Sequence, residues 1–319
     1  MNILEQIVEY KKTVVQKTKE LYPIHHLEQS QFYSTAPISM KTYLQRKDKA
    51  GIIAEIKRSS PSTGIINSRV NVEKISADYI QAGASALSIL TDEKYFGGSN
   101  KDLTTVRKNN SCPILRKEFI IDEYQIIEAK SIGADCILLI AACLTPQKCK
   151  ALAAFAKKTN LEVLLEVTTK QEIDSHVNEY IDIIGVNNRN LKDFTTNISN
   201  SLELLEYLPK ELIKISESGI KTAEQMIEQK AAFEKAQKEA FERQQEMMKK
   251  SRTQAPAQAP MYNMPADMKE RHDAFMKEMA KRRAESEKRR AAAEKRHQEM
   301  MKKMHEARSE VQTETAPKS

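Results

Sequence analysis

Lysines and carboxylates recur at the ends of short apolar runs in this chain. Glu55 and Lys57 close the run 52–56, Lys117 and Glu118 follow the run 113–115, and Glu166 stands near the end of the run 162–167. Asn187 and Arg189 follow 183–186, and Glu217, Ser218 and Gly219 follow 212–215. Removal from water displaces the proton affinities of a lysine and a glutamate toward neutrality, as general acid and base catalysis requires. Cations in the same place would seat an acidic group of a substrate. Taken singly, each of these charges is as readily a rim ion pair. The repeated placement of Lys57 and Lys117 beside carboxylates is what favours chemistry. Four cysteines (Cys112, Cys136, Cys143, Cys149) form no CxxC pair, and no histidines stand at metal-ligand spacing, so buried packing is expected of the thiols and no metal site. His25, His26 and His176 read as surface or loop histidines.

The elements that must position these residues have a clear rhythm. After an amphipathic N-terminal stretch (Ile3, Leu4, Ile7, Val14 and Val15 among charges), β-branched runs at 52–56, 86–90, 113–115, 136–141, 162–167, 183–186 and 212–215 alternate with charged periodic segments such as 72–82, 122–131, 146–158 and 198–208. The runs are apolar throughout rather than at every second residue, the pattern of parallel strands buried on both faces. Gly83 and Gly133 stand where helix C-caps are expected. Seven strand–helix steps with polar residues gathered after the strands predict an α/β fold of the (β/α)₈ TIM-barrel type, whose strand ends converge on one face. A doubly wound dinucleotide fold would want a GxGxxG turn after its first strand, and the chain has none. An eighth strand is not recognisable.

Six segments in this order resemble indole-3-glycerol phosphate synthases. They are Ala54-Glu55-Ile56-Lys57-Arg58-Ser59-Ser60-Pro61-Ser62, Leu90-Thr91-Asp92 with Tyr95-Phe96-Gly97-Gly98-Ser99, and Leu115-Arg116-Lys117-Glu118-Phe119-Ile120. The others are Leu165-Glu166-Val167, Gly185-Val186-Asn187-Asn188-Arg189-Asn190-Leu191 and Ser216-Glu217-Ser218-Gly219-Ile220. Each alone is a weak signal; six at barrel spacing are a strong one. Thr63 stands where the family usually has a lysine, with little consequence expected. The resemblance implies a lyase of tryptophan biosynthesis that closes an indole ring on 1-(2-carboxyphenylamino)-1-deoxyribulose 5-phosphate with loss of carbon dioxide and water. It implies Lys117 as the general acid of ring closure, Glu166 as the carboxylate of dehydration, Lys57 held by Glu55 near the substrate carboxylate with a share of the acid duty, and Asn187 bonded to substrate, all five as catalytic residues. Arg189 and the backbone of Ser218 and Gly219 would face the phosphate, and Phe96 and Phe119 the anthranilate ring. Ser60, Leu191 and Glu217 complete the implied binding set. No metal or organic cofactor is called for. Phosphoribosylanthranilate isomerase, a barrel of the same pathway, does not need this lysine, glutamate and asparagine set.

The resemblance covers residues 1–221, and the chain changes character there. All eight glycines lie at or before Gly219, and eleven of the thirteen methionines lie at or after Met226. Residues 1–221 carry 29 Lys and Arg against 27 Asp and Glu; residues 222–319 carry 22 against 17, so the basic balance belongs mostly to the tail. The expected organisation is an incomplete barrel over 1–221, a charged helix over 222–250, a Pro/Gln/Ala linker over 251–265, and a charged, Met-rich helix with a disordered end over 266–319. The last is read as a solvated single helix or weak coiled coil. Three readings of the tail stay open: an unrelated segment joined to a truncated gene, a protein-partner surface, or a nucleic-acid arm. Nucleic acid is the least expected, because acids offset the basic residues and few aromatics interleave. The longest apolar run, 136–144, is too short for a membrane span, and acids at Glu5 and Glu9 argue against a signal peptide. A cytoplasmic setting is expected. Two functions compete: the lyase acting on a phosphorylated small molecule, and a catalytically impaired truncated barrel fused to a helical interaction segment.

Overall fold

The computed structural model describes residues 2–190 and 195–220, together with some positions between 222 and 246. Leu191, the 251–265 linker and the 266–319 segment, with the coiled-coil and partner expectations attached to the tail, lie outside the described residues.

Seven strands carry the fold: β1 (Ile53–Ile56), β2 (Ala86–Leu90), β3 (Ile114–Lys117), β4 (Cys136–Ile140), β5 (Glu162–Val167), β6 (Ile183–Asn187) and β7 (Ile213–Glu217). They pair in sequential order, every pair parallel. Strand β3 runs two residues past its apolar run because Lys117 pairs with Leu90. The long helices are α1 (Ile3–Leu21), α2 (Val72–Gln81), α3 (Asn100–Asn109), α4 (Glu123–Ser131), α5 (Pro146–Lys158) and α6 (Lys170–His176). Helices α2 to α6 start at Asn71, Ser99, Asp122, Thr145 and Thr169, whose side chains each accept an amide of the first turn. Such caps contribute about 1 kcal/mol each and fix where the chain leaves each strand-end loop. Gly83 and Gly133, at φ +98° and +95°, turn the chain out of α2 and α4 in the left-handed region that glycine tolerates.

Between β6 and β7 the periodic stretch 198–208 yields only a short helix, Asn200–Glu203, and a 3₁₀ turn, Leu205–Tyr207. Pro209 accounts for the early stop, since it drives Leu208 into extended backbone.

The alternation of a strand sorts its side chains into two cores. Leu87, Ile89, Ile137, Leu139, Val163, Leu165, Ile184 and Val186 face outward into a layer with helix residues such as Leu103, Val106, Ile126 and Leu152. Ala86, Leu115, Cys136, Leu138, Ile140, Leu164 and Ile183 face inward, joined by Ile53, Ile213 and Ile215. The sheet is curled: Lys117 at the end of β3 meets Glu217 at the end of β7, 100 residues away. Among the described residues β1 and β7 have one strand neighbour each, so the barrel-type sheet is open between them and no eighth strand is found. The described positions from 224 to 246 are helical, and Phe233 and Ala236 pack on the outer core.

Candidate active site

Every second residue of a strand points inward, and the last inward residue sits highest at the C-terminal mouth. In β3, β5, β6 and β7 those residues are Lys117, Glu166, Asn187 and Glu217, with Glu55 and Lys57 continuing the inward face of β1. The Lys117 ammonium lies at the centre, donating to Glu217 Oε2 at 2.6 Å and Glu166 Oε2 at 3.1 Å. The expected shift toward neutrality is corrected here: burial alone would lower the Lys117 pKa, but Glu166, Glu217 and Glu55 outweigh that and hold it well above the usual lysine value. Lys57 donates to Glu55 Oε1 at 2.5 Å. Burial would raise the Glu55 pKa, yet Lys117 and Lys57 together bring it below the ordinary carboxylate value. Asn187 Nδ2 donates to Glu166 Oε1 at 2.7 Å, and its Oδ1 accepts the Arg189 amide at 2.9 Å, so the Asn187 side chain is locked in one orientation.

Glu217 behaves differently from its neighbours. Burial pushes its pKa up to about 7, Lys117 opposes this and Glu166 adds to it. Its Oε1 is buried without a hydrogen-bond partner. Gly185 makes this placement feasible: a Cβ there would stand 2.0 Å from that same oxygen.

One cavity of about 1280 Å³ collects Glu55, Lys57, Ser60, Phe96, Lys117, Phe119, Glu166, Asn187, Arg189, Glu217, Ser218 and Gly219. Every described residue of the expected set therefore lines one space. It continues down the barrel between β1 and β7, past Ile53 and Ile213 to Arg46, Lys49 and Lys210. At the rim, Arg189 Nη1 donates to Ser62 Oγ at 3.1 Å, and Ser60 Oγ accepts the Thr63 amide at 3.2 Å. Ser218 and Gly219 are consecutive left-handed residues, φ +67° and +84°. A side chain at 219 would also meet Thr196 Cγ2 at 2.7 Å. Phe96 and Phe119 stand with ring centroids 6.0 Å apart and planes tilted by 37°. Arg58 anchors the loop bearing Phe96, bonding Gly97 O at 3.1 Å and Asp102 Oδ1 at 3.0 Å.

Three features escaped the sequence patterns. Asn188, beside the expected Asn187, donates to Ser216 Oγ at 2.9 Å and Ser218 O at 3.2 Å, tying the left-handed turn to β7. Helix α1 crosses the C-terminal mouth: Leu4 and Ile7 join the inner core with Phe96 and Phe119, and Lys11 makes ion pairs with Asp92 and Glu118. The signal was present, since Lys11 continues the buried stripe of Leu4, Ile7 and Val15. His176 corrects an expectation. It is buried rather than superficial, its Nε2 2.9 Å from Leu144 O and its Nδ1 2.9 Å from Ser175 Oγ, because α6 ends against the turn after β4. Cys112, Cys136 and Cys149 are buried free thiols, as packing residues should be, whereas Cys143, in the turn after β4, is only half-buried.

The family model for indole-3-glycerol phosphate synthase matches residues 4–255. The chain belongs to that family. Curated synthases agree: one from Bacteroides thetaiotaomicron is 48% identical over 223 residues, covering 70% of this chain and 85% of that protein. One from Alkaliphilus metalliredigens is 40% identical over 224 residues, covering 70% and 86%. A third, from Chlorobium phaeobacteroides, is 42% identical over 224 residues, covering 70% and 87%. The synthase family model extends past residue 221, where the recognised motifs end, and takes in the helical positions that carry Phe233 and Ala236.

Proposed function

We propose that this chain forms indole-3-glycerol phosphate from 1-(2-carboxyphenylamino)-1-deoxyribulose 5-phosphate, by ring closure with loss of carbon dioxide and water. The observation that carries this reading is the Lys117 ammonium held between Glu166 and Glu217 at the floor of the mouth. A lysine whose pKa is raised stays protonated through the neutral range, so it delivers its proton only to an oxygen that is gaining negative charge. The ketose oxygen becomes such an oxygen as the aromatic carbon attacks its carbonyl carbon. Glu166, oriented by Asn187, is placed to serve the later dehydration, and Glu217, poised near neutrality, can return a proton to Lys117. Lys57, with Glu55 beside it, faces the substrate carboxylate. Phe96 and Phe119 flank the anthranilate ring. Ser60, Arg189 and the Ser218-Gly219 backbone receive the phosphate end, a role suited to an arginine fork and exposed amides. These steps use only side-chain acids and bases.

A small phosphorylated substrate fits a cytoplasmic setting. No helix among the described residues is long and apolar enough to cross a membrane. The test is indole-3-glycerol phosphate formation by the purified full chain, with Lys117→Met as the probe. Turnover is expected to fall by about a hundredfold or more while substrate binding stays measurable. An unchanged turnover would remove Lys117 from the acid role.

A further inference from the structure

A buried three-charge cluster lies at the mouth, outside the reacting centre. Lys11 Nζ stands 2.8 Å from Asp92 Oδ2 and 2.8 Å from Glu118 Oε1, and all three side chains are at most 5% exposed. The two carboxylates belong to different loops, and each already organises its own loop. Asp92 Oδ1 accepts the Tyr95 amide at 2.7 Å and so starts the short helix Glu93–Phe96. Glu118 Oε1 accepts the Phe119 amide at 2.8 Å, and its Oε2 accepts the Thr91 hydroxyl at 2.9 Å. One loop therefore carries Phe96, the other Phe119, and the two rings meet in the cavity.

Two buried carboxylates this close repel unless a cation lies between them. Lys11 is that cation, and it arrives on α1, whose Leu4 and Ile7 back the same aromatic pair. We propose that Lys11 is a positioning residue for the lyase reaction: by clamping Asp92 and Glu118 it sets the separation of Phe96 and Phe119, the seat of the substrate's aromatic ring. Lys11 does not line the cavity that holds Lys117, so its work is in ground-state binding and not in proton transfer. The inference rests on the proposed activity and deepens it.

The test compares KM and kcat for the full chain and three variants, with folding checked by thermal unfolding. Lys11→Met is expected to raise KM about tenfold or more with kcat within about threefold, the signature of lost uniform binding. Lys11→Arg keeps the charge and is expected to recover most of the parental KM. In the double variant Lys11→Met with Glu118→Gln, removal of one carboxylate relieves the repulsion, and KM is expected to fall back at least partway toward the parent. A parental KM in folded Lys11→Met overturns the proposal, and so does a loss confined to kcat. Should Lys11→Met not fold, the other two variants decide. A folded double variant near the parental KM upholds the clamp, whereas a double variant that does not fold, beside a parental Lys11→Arg, reduces Lys11 to a fold-holding residue and overturns it. An inactive parent would instead count against the proposed activity.

Discussion

Glu217 differs from the other acids of the mouth in having one oxygen bonded to Lys117 and the other buried without a partner. Its pKa in the folded protein, about 7, lies above the ordinary carboxylate value, mainly through burial. The folded state therefore binds this proton more tightly than the unfolded chain does. Its contribution to stability is complete below the unfolded pKa of about 4.3 and is lost as pH rises through about 7. Glu217→Gln keeps a neutral, hydrogen-bonding side chain at all pH values and so removes that dependence. Urea unfolding of both proteins at about pH 5 and pH 7.5 should show a smaller loss of stability for the variant. An equal loss in the two would mean that Glu217 is ionised throughout. The same substitution tests proton return, because Lys117 would lose a partner able to reload it.

Strand geometry explains why so many functional groups fall at one level. Period-two alternation places Lys117, Glu166, Asn187 and Glu217 inward at the ends of four parallel strands, and the sequential pairing curls those ends together. Within β6 the needed complement is an absence of side chain. Gly185→Ala would put a methyl 2.0 Å from Glu217 Oε1, 3.1 Å from its Cδ and 3.2 Å from Ile215 Cγ1. The carboxylate must swing off Gly185, and its 2.6 Å bond to Lys117 goes with it. Misplacement of a reacting group by about 1 Å costs roughly a hundredfold in rate, whereas overpacking at one methyl costs about 1–3 kcal/mol. A turnover loss of that order is expected, with the melting temperature falling by a few degrees only. Retained turnover would show that Glu217 has a second productive position.

Across the whole molecule, burial is uneven around the sheet. Strands β2, β4 and β6 are buried along their entire length, whereas β7 is half-buried at every residue and β1 at three of four. Both half-buried strands flank the opening, and the cavity runs between them. Local opening costs least where apolar contacts are few. Native-state hydrogen exchange is expected to be fastest in β1 and β7 and slowest in β4 and β6. Equal protection of all seven strands would mean that an element beyond the described residues covers the gap. Binding of substrate, which bridges β1, β3, β5, β6 and β7, should slow exchange in the two edge strands most.

How much of this was legible beforehand follows from the range of each interaction. The seven runs, the glycine C-caps and the polar strand ends are local patterns of period 2 or 3.6, and a parallel strand buried on both faces writes itself as an apolar run with a polar end. Those features, with the six motifs, determined the barrel-type sheet, the family and every described residue expected in the cavity. Pairings across the fold follow no period. That Lys117 takes Glu217 as its closest partner depends on how far the sheet curls, and that Lys11 reaches Asp92 and Glu118 depends on where α1 settles. Asn187 and Asn188 are neighbours of one type, yet alternation sends the first to Glu166 inside and the second to Ser216 and Ser218 at the turn. His176 was misplaced for a related reason: a histidine's burial depends on the carbonyl it meets, here Leu144 O, 32 residues away. Periodicity decides which face of an element a side chain occupies. Only the packing of elements separated by tens of residues decides which partner waits there, how much water is excluded, and which proton affinities move.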